Sequence, residues 1–152
     1  MGLKETLKSD LTEAIRSRDE LKSGTIRMVL TAITTEEVAG TAARTLSEPE
    51  IITVLSREAK KRREAAEAFA DGGRPDRAER EKQEGEVIAT YLPTQLSEDE
   101  IKRLIADAIT ETGASGPAGM GQVMKIVSPK IVGKADGGTV SALVKAALLG
   151  GN

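Results

Sequence analysis

The stretch Ser47–Pro93, SEPEIITVLSREAKKRREAAEAFADGGRPDRAEREKQEGEVIATYLP, decides the fold class. It opens on Ser47-Glu48-Pro49-Glu50, where a hydroxyl can accept from the backbone three residues on and the acid there can reach back. A proline in the first turn gives up an N–H that would have no helical partner anyway. From Ile51 the pattern predicts a helix to about Ala70. Asp71-Gly72-Gly73-Arg74-Pro75-Asp76 is a turn, with glycine to end one helix and proline to open the next. A second helix is expected from Pro75 to Tyr91, highly charged until Val87-Ile88, and Pro93 stops it. Its interior Gly85 should cost about 1 kcal/mol relative to alanine. Two helices joined by so short a turn lie antiparallel, which predicts a charged hairpin with a polar tip and a buried base.

The same periodicity extends in both directions. Leu3, Leu7, Leu11 and Ile15 recur every fourth residue, and a polar break follows at Ser17-Arg18-Asp19-Glu20. Ile26, Val29, Leu30 and Ile33 make the stripe of a second helix, with Gly40 as its expected stop. After the hairpin, Ser97-Glu98-Asp99-Glu100 repeats the capping pattern ahead of Ile101, Leu104, Ile105, Ala108 and Ile109. A glycine-rich loop is expected from Gly113 to Gly121. Met120, Val123, Met124 and Val127 then line one face of a sixth helix, ended or kinked at Ser128-Pro129. Asp136 is a candidate N-cap for a seventh, with Val140, Leu143, Val144, Ala147 and Leu148 on its apolar face. No alternating run bounded by hairpin turns reads as a strand. The expectation is an all-α chain: an N-terminal four-helix unit over 1–92 with the long charged hairpin, then a C-terminal three-helix bundle over 97–150. Leu92–Leu96 is the expected boundary.

Composition narrows the chemistry. The 152 residues contain no cysteine and no histidine, which removes thiolate and imidazole chemistry, and with it haem and structural zinc sites. No Asp-rich loop has the spacing of a calcium hand, so neither metal nor cofactor is expected. There is no apolar run able to span a bilayer and no secretory signal pattern, which points to the cytoplasm and away from membranes. The net charge of −2 is unevenly spread: residues 113–152 hold Lys125, Lys130, Lys134 and Lys145 against Asp136 alone. An acidic body thus carries a mildly basic C-terminal piece.

Two basic groups are candidate binding surfaces. Arg57, Lys60 and Lys61 share one side of the third helix and could touch a partner or phosphates, although Glu58, Glu64 and Glu67 stand nearby. Lys125, Lys130 and Lys134, with Lys145 beyond, surround the Gly133–Gly138 turn. There, backbone N–H groups at Gly133 and Gly137 are expected to meet phosphate oxygens, unless the lysines merely cap helix ends. Gly116–Gly121 lacks the strand and the Gly-Lys-Ser/Thr ending of a P-loop, and reads as a turn with a helix start. The paired acids at Glu36-Glu37, Glu84/Glu86 and Glu98/Glu100 read as solvated surface rather than a catalytic pair. No nucleophile–base pair is visible, so no catalytic residue is assigned. With almost no aromatics for base stacking, an RNA partner would be read by shape and backbone.

Seven segments in order resemble the GatB/YqeY family, closest to its stand-alone YqeY-like members. They are Ile26-Arg27-Met28-Val29 with Ala32-Ile33; Val54 to Arg62; Tyr91-Leu92-Pro93-Thr94-Gln95-Leu96-Ser97; Thr112-Gly113-Ala114-Ser115; Met120-Gly121-Gln122-Val123-Met124; Lys134-Ala135-Asp136-Gly137; and Val140 to Leu149. The resemblance implies an all-α fold and kinship with the tail of GatB, the component of the tRNA-dependent amidotransferase whose tail helps engage tRNA. That enzyme is a carbon–nitrogen ligase with glutamine as amido donor, and its catalytic portion has no counterpart here. The resemblance therefore implies a tRNA-binding accessory module. The alternative is a protein-interaction module, docking its charged hairpin onto an amidotransferase or another translation component.

Overall fold

Seven α-helices and one 3₁₀ turn make up the computed structural model, which describes residues 2–150; no strand is present among them. The helices are α1 (Leu3–Arg16), α2 (Glu20–Glu37), α3 (Glu48–Asp71), α4 (Pro75–Ala89), α5 (Glu98–Thr112), α6 (Met120–Ile131) and α7 (Gly137–Gly150). They fall into two compact units, Met1–Leu92 and Pro93–Asn152.

In the first unit, Leu7, Ile26, Val29, Ile33, Leu46, Ile51, Val54, Leu55 and Ile88 form the core. Ser47 accepts from Glu50 N while Glu50 reaches back to Ser47 N, so the capping box that opens α3 is closed in both directions. Beyond the core, α3 and α4 continue as the hairpin, where Ala66 and Ala78 are buried and allow close approach. A Cβ added at Gly85 would meet the Arg62 Cβ at 3.6 Å, an ordinary contact. Glycine there is not required by packing.

Two local expectations change, and the polar break between α1 and α2 gains its geometry. Ile15 is 50% exposed, and Ala14 is buried in its place. A four-residue step overshoots a full turn by about 40°, so three such steps carry Ile15 off the buried face while Ala14 falls back onto it. The polar break is a Schellman turn, with Arg18 N on Ile15 O (3.2 Å) and Asp19 N on Ala14 O (2.9 Å). Arg18 takes the left-handed position at φ 58°, and Asp19 caps α2 through Lys22 N. The second helix stops before Gly40, at Glu37, because Arg44 N takes the Glu37 carbonyl (3.0 Å). The Glu37 carboxylate is held as well, by Lys4 Nζ (2.8 Å) and Leu46 N (3.4 Å).

The second unit closes around Ile101, Ile105, Ala108, Val123, Val127, Ile131, Val140, Val144 and Leu148. Gly113 ends α5 in the left-handed region at φ 68°, which a side chain would strain. Part of the expected Gly113–Gly121 loop is the 3₁₀ turn Pro117–Gly119, and a Cβ at the buried Gly119 would lie 2.7 Å from the Ala114 Cβ. Pro129 does not end α6. It lies in the last turn, where the helix gives up one hydrogen bond and runs on to Ile131. The segment ahead of α5 is tied down: Gln95 Nε2 donates to Gly133 O (2.7 Å), and Leu96 N to Lys134 O (2.9 Å).

Candidate nucleic-acid interface

The two basic groups differ in how their charge is answered. On α3, Arg57 lies 3.7 Å from Glu36, and Lys61 lies 3.2 Å from the buried Glu58. Lys60 is also engaged. Next to them Arg62, only 20% exposed, reaches across the hairpin to Glu81 (3.2 Å) and Glu84 (3.5 Å) on α4. Arg80 adds a further contact to Glu84. Arg62 therefore ties the two helices of the hairpin, while the Arg57 and Lys61 pairs lie at the surface. What is left for a partner is a mixed-sign surface with little net field.

In the second unit Lys125, Lys130, Lys134 and Lys145 are all exposed. None of them makes an ion pair with another described residue. Lys125 and Lys130, five residues apart on α6, project about 140° from one another. Lys134 follows the end of α6 and Lys145 stands on α7. These exposed lysines thus stand on α6, in the turn that follows it, and on α7.

The Gly133–Gly138 turn departs from the expected phosphate cradle. Gly133 takes φ 72°, and Lys134 N and Ala135 N both donate to Ile131 O (2.8 and 3.1 Å). At the start of α7, Asp136 Oδ2 accepts from Thr139 N and Thr139 Oγ1, each at 3.0 Å. The carboxylate of Asp136 thus occupies the helix N-terminus, beside Gly137, where an anion would sit.

Other chemistry is sparse. Among the described residues no cluster of three or more metal-ligating acids is assembled, and no helix is long and apolar enough to cross a membrane. Shifted carboxylates are structural: Arg44 holds Glu50 below its ordinary range, and Arg74 does the same for Asp76. Sequence reading missed an open apolar groove between α5 and α7, lined in part by Ala106, Ile109, Ala146 and Ala147. The signal was present: α7 contains one charged residue in fourteen.

The described residues thus form an all-helical chain with an ion-paired hairpin and a second unit that carries exposed lysines. The family described as Yqey-like protein matches residues 4–148, and the chain belongs to that family. Three fungal relatives share the name "Altered inheritance of mitochondria protein 41, mitochondrial". That of Lachancea thermotolerans is 34% identical over 115 residues, covering 74% of this chain and 60% of the relative. That of Clavispora lusitaniae is 32% identical over 116 residues, covering 75% and 66%. That of Candida glabrata is 34% identical over 97 residues, covering 62% and 53%. The chain's match thus spans between half and two thirds of the length of these relatives.

Proposed function

We propose that this YqeY-family chain is a tRNA-binding accessory module, related to the GatB tail of the tRNA-dependent amidotransferase and without that enzyme's catalytic portion. The observation that carries the reading is the contrast between the two basic groups. Arg57, Lys61 and Arg62 are neutralised within their own unit, whereas Lys125, Lys130, Lys134 and Lys145 are exposed and unpaired among the described residues. Lysines spread over two helices suit the separated phosphates of a folded RNA, each contact releasing counterions. The scarcity of aromatics favours recognition by shape over base stacking. We place the activity in the cytoplasm; the "mitochondrial" in the relatives' name describes those proteins. The docking of the hairpin onto an amidotransferase or translation protein is the weaker reading, because Arg57, Lys61 and Arg62 already face acidic partners.

Titration with bulk tRNA and with single-stranded RNA of equal length, at two salt concentrations, tests this. Tighter binding to tRNA that weakens with salt is the expected result. Absence of binding to either RNA at low salt would contradict it.

A further inference from the structure

A surface helix ordinarily turns a charged face to water. Helix α7 does not: Val140, Val144 and Leu148 face the core, Lys145 is its single charge, and Leu149 is left 57% exposed. Beside it runs the groove against α5, about 840 Å³ in volume. Lys102, Ala106 and Ile109 on α5 and Leu143, Ala146 and Ala147 on α7 repeat at three- and four-residue steps. The walls therefore follow the two helix axes. Three of these six residues are alanines, so a third backbone can come close.

Size and charge select the occupant. The α5 wall covers about 12 Å at 1.5 Å per residue, room for two to three turns of helix. A stable dimer needs roughly 20–30 residues a side, and a dozen residues line this groove. That is too small a face to hold a second copy. The one charged lining residue is Lys102, and its pair with Glu98 (3.3 Å) is exposed on both sides and readily exchanged. No carboxylate is among the lining residues. We infer that the α5/α7 groove receives a short amphipathic helix from a partner protein, with apolar side chains at i, i+3 or i+4, and i+7 and an acid that pairs with Lys102. Lys145 projects about 160° round α7 from Leu143, so this surface is distinct from the lysine surface proposed for RNA.

The test uses the full chain, isotope-labelled for amide NMR, and synthetic peptides of about fourteen residues. One peptide carries leucines at helical spacing with glutamates opposite, a second replaces the glutamates by lysines, and a third is a scramble of the first. Saturable shifts centred on Ala106, Ile109, Ala146 and Ala147 with the glutamate peptide, and none with the scramble, are expected. Ala146→Arg, at an exposed position, should abolish binding with helicity unchanged. Lys102→Glu should reverse the preference between the glutamate and lysine peptides, by about fivefold. Equal binding of the scramble, shifts elsewhere, or concentration-dependent self-association through the same residues would overturn the inference. Binding of tRNA that leaves these four residues unshifted is expected whichever way the peptide result falls.

Discussion

Tyr91 Oη donates a 2.5 Å hydrogen bond to Asp10 Oδ2, tying the turn after α4 to the first helix across 81 residues. Burial, and then the Asp10 carboxylate, push the phenol's pKa well above its ordinary value of 10.0. The fold thus favours the protonated phenol. Its contribution is complete below about pH 10 and is lost as pH rises above that, because the unfolded chain ionises first.

With one tyrosine and no tryptophan, tyrosinate absorbance reports this group alone. Ionisation is predicted to coincide with loss of helicity rather than precede it. Tyr91→Phe should cost about 1 kcal/mol at neutral pH and remove the alkaline loss owed to the phenol. An ordinary tyrosine titration with helicity intact would show that the bond does not hold in solution.

Arg62 bridges Glu81 and Glu84 where the hairpin leaves the core, all three side chains being about one-fifth exposed or less. Arg62→Met leaves Glu81 and Glu84 facing each other with only the half-exposed Arg80, on Glu84, to answer them. A loss of about 2 kcal/mol in denaturant unfolding is expected, less than for a fully buried pair because water still reaches these groups. Arg63→Met, at the exposed neighbouring position, should change stability by less than about 0.5 kcal/mol.

Two substitutions should stabilise the first unit. Arg18→Gly relieves a left-handed backbone worth about 1–2 kcal/mol, against about 0.5–1 kcal/mol for glycine's added chain freedom. A net gain of roughly 0.5–1 kcal/mol follows. Gly85→Ala adds a methyl at an ordinary contact distance inside a helix and should gain up to about 1 kcal/mol. Thermal unfolding of the single and double variants checks both, and the gains should add, since the sites share no contact.

On the acid side, the Lys4 hydrogen bond lowers the pKa of Glu37 from 4.5, with the Leu46 backbone contributing as well. A lowered carboxylate contributes stability above its unfolded pKa and loses it as pH falls through the lower folded value. Glu37→Gln should flatten the acid limb of the stability curve and speed amide exchange at Leu46. An acid limb unchanged by the substitution would mean that the Lys4–Glu37 pair carries no pH dependence.

The elements most legible in sequence were those whose signals are local. The Ser47–Glu50 box, the glycine–proline turn at 72–75, the Asp136 cap and the apolar stripe of α5 all depend on residues within a turn of one another. What escaped depends on distant partners. The end of α2 is set by Arg44 and Lys4, and the tie of Gln95 to Gly133 spans 38 residues. For the candidate surface, the lysines were visible but their pairing was not. Only the folded chain shows Arg62 answered from α4 and Asp136 occupying the turn expected to hold phosphate. The α5/α7 groove was missed although α7 carries a single charge, because which of its apolar residues stay open is decided by packing against α5.

The most direct test of the RNA-binding account is the salt dependence of tRNA affinity for the wild-type chain and for Lys125→Ala/Lys130→Ala/Lys134→Ala. Each lysine that neutralises a phosphate contributes about 0.7–0.9 to the slope of log K against log salt. The account predicts weaker binding at low salt and a slope smaller by roughly 2 to 3, with helicity unchanged. An identical slope in the two proteins would contradict it and remove the α6–α7 lysines from the interface.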